Sequence, residues 1–286
     1  MQDILKCWGL ENAAITQIDT HQKHAWDIDG RYVLKYYKNP ETIMANIKLV
    51  HLLQSEDIPV VAYIPTLDDS LVSDCGHYAL AEKLAGEHVN LFENPHMAAV
   101  FGRALGQLHA ALANIEAEFE FEPKDYLKTW HNYILPGLGE DVPAEIVQHT
   151  QNELESIYLS LPKQPIHRDV HAQNVLFDAE NEKVVGWLDF DLAYHDARLF
   201  DIAYMFAGLI MDSYDDAEKV AAWERALADF LNGYDSINPL LTGEREALNT
   251  FMVSIELLFV TYWKSQNNSG EAEKALKLAK WFYERR

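Results

Sequence analysis

Two apolar runs of strand character, Asn174-Val175-Leu176-Phe177 and Val184-Val185-Gly186-Trp187-Leu188, are joined by the polar stretch Asp178-Ala179-Glu180-Asn181-Glu182-Lys183. Runs of this length around a polar link read as an antiparallel hairpin. The first residue of one strand then lies beside the last of its partner, so Asn174 and the residue after the second run, Asp189, emerge at one edge. Ile166-His167-Arg168-Asp169 leads into that edge and Leu188-Asp189-Phe190-Asp191 leads out of it. The chain must fold so that this oxygen-rich edge is usable.

Oxygen donors of this kind suit a hard divalent cation. They also match what phosphoryl transfer from ATP requires: a hydroxyl held in line with the γ-phosphate, and cations that spread charge off the phosphate oxygens. In the kinase pattern H-R-D-x-x-x-x-N the Asp orients or deprotonates the hydroxyl and the Asn holds Mg²⁺. Asp169 and Asn174 occupy those positions, and Asp189 is the candidate for a further carboxylate that would complete the protein's share of the metal coordination. An isolated Asp-x-x-x-x-Asn carries little information, since both residues are common in loops. His167, the hairpin spacing and Asp-Phe-Asp give it weight.

The chain has 286 residues, 49% of them hydrophobic, enough for one large domain or two lobes. Lys and Arg number 23 against 45 Asp and Glu, a net charge of -22 that disfavours nucleic acid or anionic lipid as partners and favours cationic ones. Cys7 and Cys75 make no disulfide framework. The opening Met-Gln-Asp-Ile-Leu-Lys lacks a basic region followed by an apolar one, and the apolar stretch from Ile202 to Met211 is too short to span a bilayer. A cytoplasmic protein without a membrane segment is expected.

Strands are expected at 15–18, 25–28, 31–37, 60–64, 70–73 and 78–81, with Asp29-Gly30 as a hairpin turn. A helix should begin at Asn39-Pro40-Glu41 and bury Ile43, Ile47, Val50 and Leu53. Beyond Glu82 the pattern is helical apart from the hairpin. The order β-β-β-α-β-β resembles a kinase amino-terminal lobe; with a boundary near Ala85-Gly86, that resemblance implies an amino-terminal nucleotide-binding lobe, 1–84, and a helical catalytic and substrate lobe, 85–286. Glu82-Lys83-Leu84 would be the hinge, with backbone groups of Glu82 and Leu84 facing an adenine edge.

The order and spacing of Tyr32-Val33-Leu34-Lys35, Glu82 to Glu87, Leu105-Gly106-Gln107-Leu108-His109, His167 to Asp178, Leu188 to Asp191, Asp201-Ile202-Ala203, and Gly233-Tyr234 followed by Pro239 to Thr242 resemble the aminoglycoside phosphotransferase and choline kinase superfamily. Bacterial homoserine-kinase-like members belong to it. The resemblance covers nearly the whole chain and implies a bilobal, protein-kinase-like α+β fold. It implies an ATP- and Mg²⁺-dependent kinase for a hydroxyl of a small molecule such as an amino alcohol or aminoglycoside. By the same resemblance Lys35 grips the α- and β-phosphates, Asp169 is the catalytic base, Asn174 and Asp189 bind Mg²⁺, and Asp201 braces the catalytic loop. From residue type alone, Lys35 also fits a solvated strand edge, Asp201 a helix cap, and His109 a satisfied core histidine. His167 fits a structural ring that fixes the loop.

Three departures stand out. The turn Thr20-His21-Gln22-Lys23-His24 has no glycine for close approach of backbone amides to phosphates. Asn46 sits where family members place a Glu to pair with the strand Lys, with Glu41 as a substitute one turn earlier. Arg168 replaces the Gly that small-molecule kinases usually carry before the catalytic Asp. The first two motivate a pseudokinase as a rival reading and the third a protein kinase. Against the protein kinase, His171 stands where those enzymes have Lys, and no Ala-Pro-Glu follows Asp189. For the acceptor, Phe190, Asp191, Tyr194, Glu256, Tyr262 and Trp263 are the expected lining, carboxylates and aromatics that suit an amine. The chain fits a monomer or a homodimer.

Overall fold

Asp29 and Gly30 both adopt the left-handed φ, 54° and 67°, that a type I′ turn requires, and they join the two central strands of a four-stranded antiparallel sheet. Its strands are β1 (Ile15–Gln17), β2 (Ala25–Ile28), β3 (Tyr32–Tyr36) and β4 (Tyr78–Glu82), paired in that order, with Lys35 opposite Ala79. The computed structural model describes residues 1–18, 24–180 and 182–286. The glycine-free turn therefore lies, His24 apart, outside the described residues.

One face of the sheet buries Ile28, Leu34 and Leu80 against Leu5 and Trp8. Tyr37 and Ala79 pack against Ile43 and Ile47 of helix α1 (Pro40–Ser55). Asn39 caps α1, its side chain accepting from the Glu41 amide at 3.0 Å, and Pro40 needs no donor at the first helical position. Asn46 is buried on the same face as Ile43, Val50 and Leu53.

The expected strands at 60–64 and 70–73 do not form. Val60 and Tyr63 make single bridges, to Trp187 and Ala81, because Pro59 and Pro65 remove donors at both ends of the run. In the second segment the Ser70 hydroxyl accepts from the Val72 amide and donates to its carbonyl, a local alternative to ladder pairing.

Contacts divide the chain into two units, Met1–Glu87 with Val175–Asp191, and His88–Asn174 with Leu192–Arg286. The hairpin, Val175–Asp178 paired with Lys183–Trp187, thus joins the sheet unit instead of the helical part to which the 85–286 boundary would give it. Backbone bonds explain this: Glu87 and Phe177 exchange two at 2.9 Å, and the Trp187 amide donates to Pro59 at 2.8 Å.

In the helical unit, α2 (Met97–Asn114), α3 (Ala144–Ile157), α4 (Leu199–Ile210), α5 (Ala217–Asp235), α6 (Thr242–Ser265) and α7 (Ser269–Glu284) pack around Phe200, Phe206, Phe230 and Phe251, all fully buried. Helix α2 lies on α5, and α6 lies on both α4 and α7. The crossing of α2 and α5 depends on two glycines. A β-carbon on Gly102 would come within 2.0 Å of the Phe230 carbonyl oxygen, and one on Gly233 within 2.1 Å of that of Ala99. Backbone, not a flexible side chain, blocks both, so Gly102→Ala should force the helices apart and cost about 1–3 kcal/mol. Thermal unfolding should show this as a drop of about 2–4 °C per kcal/mol; an unchanged midpoint would mean the crossing is looser than described. Among the described residues no helix is long and apolar enough to cross a membrane.

Candidate active site

Strand Lys163–Ile166 ends at a loop whose backbone is fastened from below. The fully buried carboxylate of Asp201, in the first turn of α4, accepts the His167 amide at 2.9 Å and the Arg168 amide at 2.8 Å. It also meets His109 Nε2 at 3.0 Å, and the other ring nitrogen of His109 bonds the Tyr234 hydroxyl at 2.7 Å. Asp201 is thus more than a helix cap, and His109 is a satisfied core histidine that steadies it. His167 is fully buried, and its Nδ1 accepts the Asp169 amide at 3.3 Å.

Asp169 is clamped at both oxygens. One accepts the Tyr204 hydroxyl at 2.8 Å; the other accepts Asn174 Nδ2 at 3.1 Å and lies 3.5 Å from His171 Nε2. The same Asn174 amide reaches the Asp169 carbonyl at 2.9 Å, which leaves its own Oδ1 as the atom to offer a cation. Burial pushes the Asp169 carboxyl up, but the His171 ring and the Tyr204 hydroxyl outweigh it and hold the group at about 2. A carboxylate so weakly basic is better at orienting a hydroxyl than at stripping it early, which suits a loose phosphoryl transition state. Sequence reading missed Tyr204. Its signal was its place one helical turn after Asp201, on the same face of α4.

In the sheet unit, Lys35 on β3 bridges Asp189 at 2.9 Å and Asp191 at 2.8 Å, with its ammonium 4.9 Å from the centre of the Tyr37 ring. Asn46 Nδ2 donates to the other Asp191 oxygen, and the Tyr63 hydroxyl lies 3.4 Å from Asn46 Oδ1. The neutral amide on α1 therefore holds an acid that in turn holds Lys35. Burial would push the Lys35 ammonium down, but Asp189 and Asp191 more than offset it and its affinity for the proton rises. Asp191 is raised by burial and by the second carboxylate, against the pull of Lys35 and Asn46. Two carboxylates around one ammonium leave a surplus negative charge of the kind a divalent cation neutralises. Among the described residues no group of three or more His, Cys, Asp or Glu is placed to hold a metal ion by itself. The donors fit Mg²⁺, which keeps waters and phosphate oxygens and needs only one or two protein ligands.

At the expected hinge the Glu82 amide is spent on the Ala62 carbonyl at 2.8 Å, whereas among the described residues the Leu84 amide donates to no carbonyl. Of the expected acceptor lining, Tyr194 lies beside Arg168, while Asp191 is placed with Lys35. Trp263 meets Tyr262 in an edge contact and belongs to neither group. Glu256 on α6 is fully buried, with neither carboxylate oxygen hydrogen-bonded among the described residues, and burial pushes it up to about 8.

That burial has a measurable cost. The unfolded carboxyl ionises near its ordinary 4.5, so between about 4.5 and 8 the unfolded chain has lost a proton that the native one keeps. Stability falls as pH rises across this window. Glu256→Gln removes the penalty, so its melting temperature relative to the parent should be higher at pH 8 than at pH 5, by about 2–4 °C per kcal/mol regained. An offset independent of pH would show that Glu256 has a partner.

Residues 17–240 match the family model described as the phosphotransferase enzyme family. The chain belongs to that family. A homoserine kinase of Methylobacillus flagellatus is 31% identical over 247 residues, covering 84% of this chain and 73% of the relative. The fold is that of a microcompartment-associated aminopropanol kinase, with a TM-score of 0.77 and 18% identity over 98% of this chain and 94% of the other. It is also that of an amicoumacin kinase solved with AMP-PNP and Ca²⁺, with a TM-score of 0.65 and 15% identity over 93% and 88% of the two chains. With these family relations, the chain is a phosphotransferase that acts on a hydroxyl of a small molecule.

Proposed function

We propose that this family member transfers the γ-phosphate of ATP to the hydroxyl of a small amine-bearing alcohol. The observation that carries the reading is the two-sided clamp on Asp169 by Tyr204 and Asn174, on a loop fastened to Asp201. A carboxylate held this firmly presents a fixed direction to an incoming hydroxyl, and positioning is most of what this reaction asks of a protein.

In the step itself, the acceptor oxygen forms a bond to the γ-phosphorus as the bond to the β,γ-bridging oxygen breaks. The hydroxyl proton passes to Asp169, and ADP leaves with the bridging oxygen's charge. Lys35 binds the nucleotide phosphates, held in line by Asp191 and Asn46, and the Leu84 amide with the Glu82 carbonyl receives the adenine. Asn174 and Asp189 would each offer an oxygen to Mg²⁺, whose charge would be drawn on to neutralise the phosphates.

An amine on the acceptor is supported by the net charge of -22 and by the relatives' named substrates, homoserine and aminopropanol, each an amine and an alcohol in one molecule. A coupled ADP assay with ATP and Mg²⁺, run over homoserine, serine, aminopropanols, ethanolamine, choline and kanamycin, tests it. Turnover confined to amine-bearing small alcohols is expected. Turnover on amine-free polyols alone would exclude the amine, and no ADP with any acceptor would exclude the kinase reading.

A further inference from the structure

Arg168, next in the chain to Asp169, does something that its backbone makes expensive. Its φ is 77°, a left-handed conformation that glycine adopts freely and that a side chain pays for. Removing the side chain would cost the loop nothing in backbone bonding, because the Arg168 contact with Asp201 is made by the amide.

The side chain is built into an aromatic cage. Its guanidinium carbon lies 3.8 Å from the centre of the fully buried Phe200 ring, 5.6 Å from that of Tyr194 and 5.9 Å from that of Tyr204. Stacking engages the face of a guanidinium and leaves the in-plane N–H donors directed outward, in the fork that matches a carboxylate. Those donors have no carboxylate partner among the described residues, although acids outnumber bases in this chain almost two to one. The buried Arg198 shows the usual arrangement, paired with Glu244 at 2.8 Å through two nitrogens. Arg168 is half-buried, so a partner can reach it. Tyr204 ties it to the chemistry, since one ring borders the guanidinium and its hydroxyl holds the Asp169 carboxylate.

We infer that Arg168 is a specificity-determining residue that binds a carboxylate of the acceptor, so that the substrate is a hydroxy amino acid and not the corresponding amino alcohol. The inference rests on the kinase reading above, and it decides between two kinds of acceptor which that reading admits.

The test compares acceptors that differ only by the carboxylate, L-homoserine with 3-aminopropan-1-ol and L-serine with ethanolamine, by kcat/KM in the coupled ADP assay. The wild type should favour the carboxylated member of at least the better pair. Arg168→Met keeps bulk without donors and should shrink that preference about 10- to 100-fold, chiefly through acceptor KM, as expected for losing a charge-assisted pair. Arg168→Lys, which keeps the charge without the fork, should fall between. A wild-type preference for the amino alcohols would overturn the inference. So would an equal fall on both members in Arg168→Met, which would mark the side chain as merely structural. The thermal shift produced by L-homoserine, added to protein already saturated with AMP-PNP, is read in parallel. If no alcohol turns over, stabilisation of the wild type but not of Arg168→Met still supports the carboxylate site, while the kinase reading alone fails. Stabilisation of both proteins or of neither overturns the inference.

Discussion

Asp169→Asn is expected to lower kcat by about 10²–10⁴-fold while leaving the protein folded. The substitution is nearly isosteric, and the surviving amide oxygen still accepts a hydrogen bond from Tyr204 or Asn174. What disappears is the negative charge and the capacity to take the acceptor's proton. Because the carboxyl is held at about 2, it is fully ionised at every pH where the protein is handled. Activity should therefore show no acid limb due to this group above pH 4, and any such limb must come from another residue. Steady-state kinetics with the best acceptor check both points. A variant within about tenfold of the parent would remove Asp169 from the chemistry.

Asp201→Ala should produce the largest loss of stability of any single change near the site. The carboxylate has no exposure and serves the His167 and Arg168 amides and the His109 ring. Removing it strands these polar groups in a water-free interior, where each costs about 1–3 kcal/mol and the total, not strictly additive, comes to about 3–5 kcal/mol. The melting temperature should drop by of the order of 10 °C, and kcat should fall in the folded fraction because the Asp169 loop loses its anchor. Asp201→Asn should recover only part of the stability, since its NH₂ group faces donors. A midpoint within about 2 °C of the parent in Asp201→Ala would show that the loop is held by other means.

The parts of this molecule legible in the sequence are those set by short-range rules. The hairpin around 178–183, the Asp29-Gly30 turn and the Asn39-Pro40 helix start each follow from residues within a few positions of one another, and the structure has all three. The α+β fold and the family follow from motif order, and the family match, 17–240, takes in these motifs as far as Leu240. Where reading failed, a competing local bond or a distant partner decided. Prolines at 59 and 65 reduced one expected strand to single bridges, and the Ser70 hydroxyl turned another into a loop. Asn46 looked like a defect because its partner, Asp191, is 145 residues away. Once that bond is known, the missing helix carboxylate is replaced by one on the loop after the hairpin, and the case for a pseudokinase built on Asn46 weakens. Glu256 could be placed on an apolar helix from sequence, but not its complete burial without a partner, which depends on how α4 and α6 pack.

In the proposed function, Asp169 directs a small-molecule hydroxyl onto the γ-phosphate of ATP. Phosphorus NMR of the protein with ATP, Mg²⁺ and the best acceptor from the screen tests it most directly. A new phosphomonoester resonance of the acceptor should grow in step with ADP, and it should be absent or at least about a hundredfold slower with Asp169→Asn. ADP accompanied only by inorganic phosphate, or a phosphomonoester formed equally fast by the variant, would contradict the account.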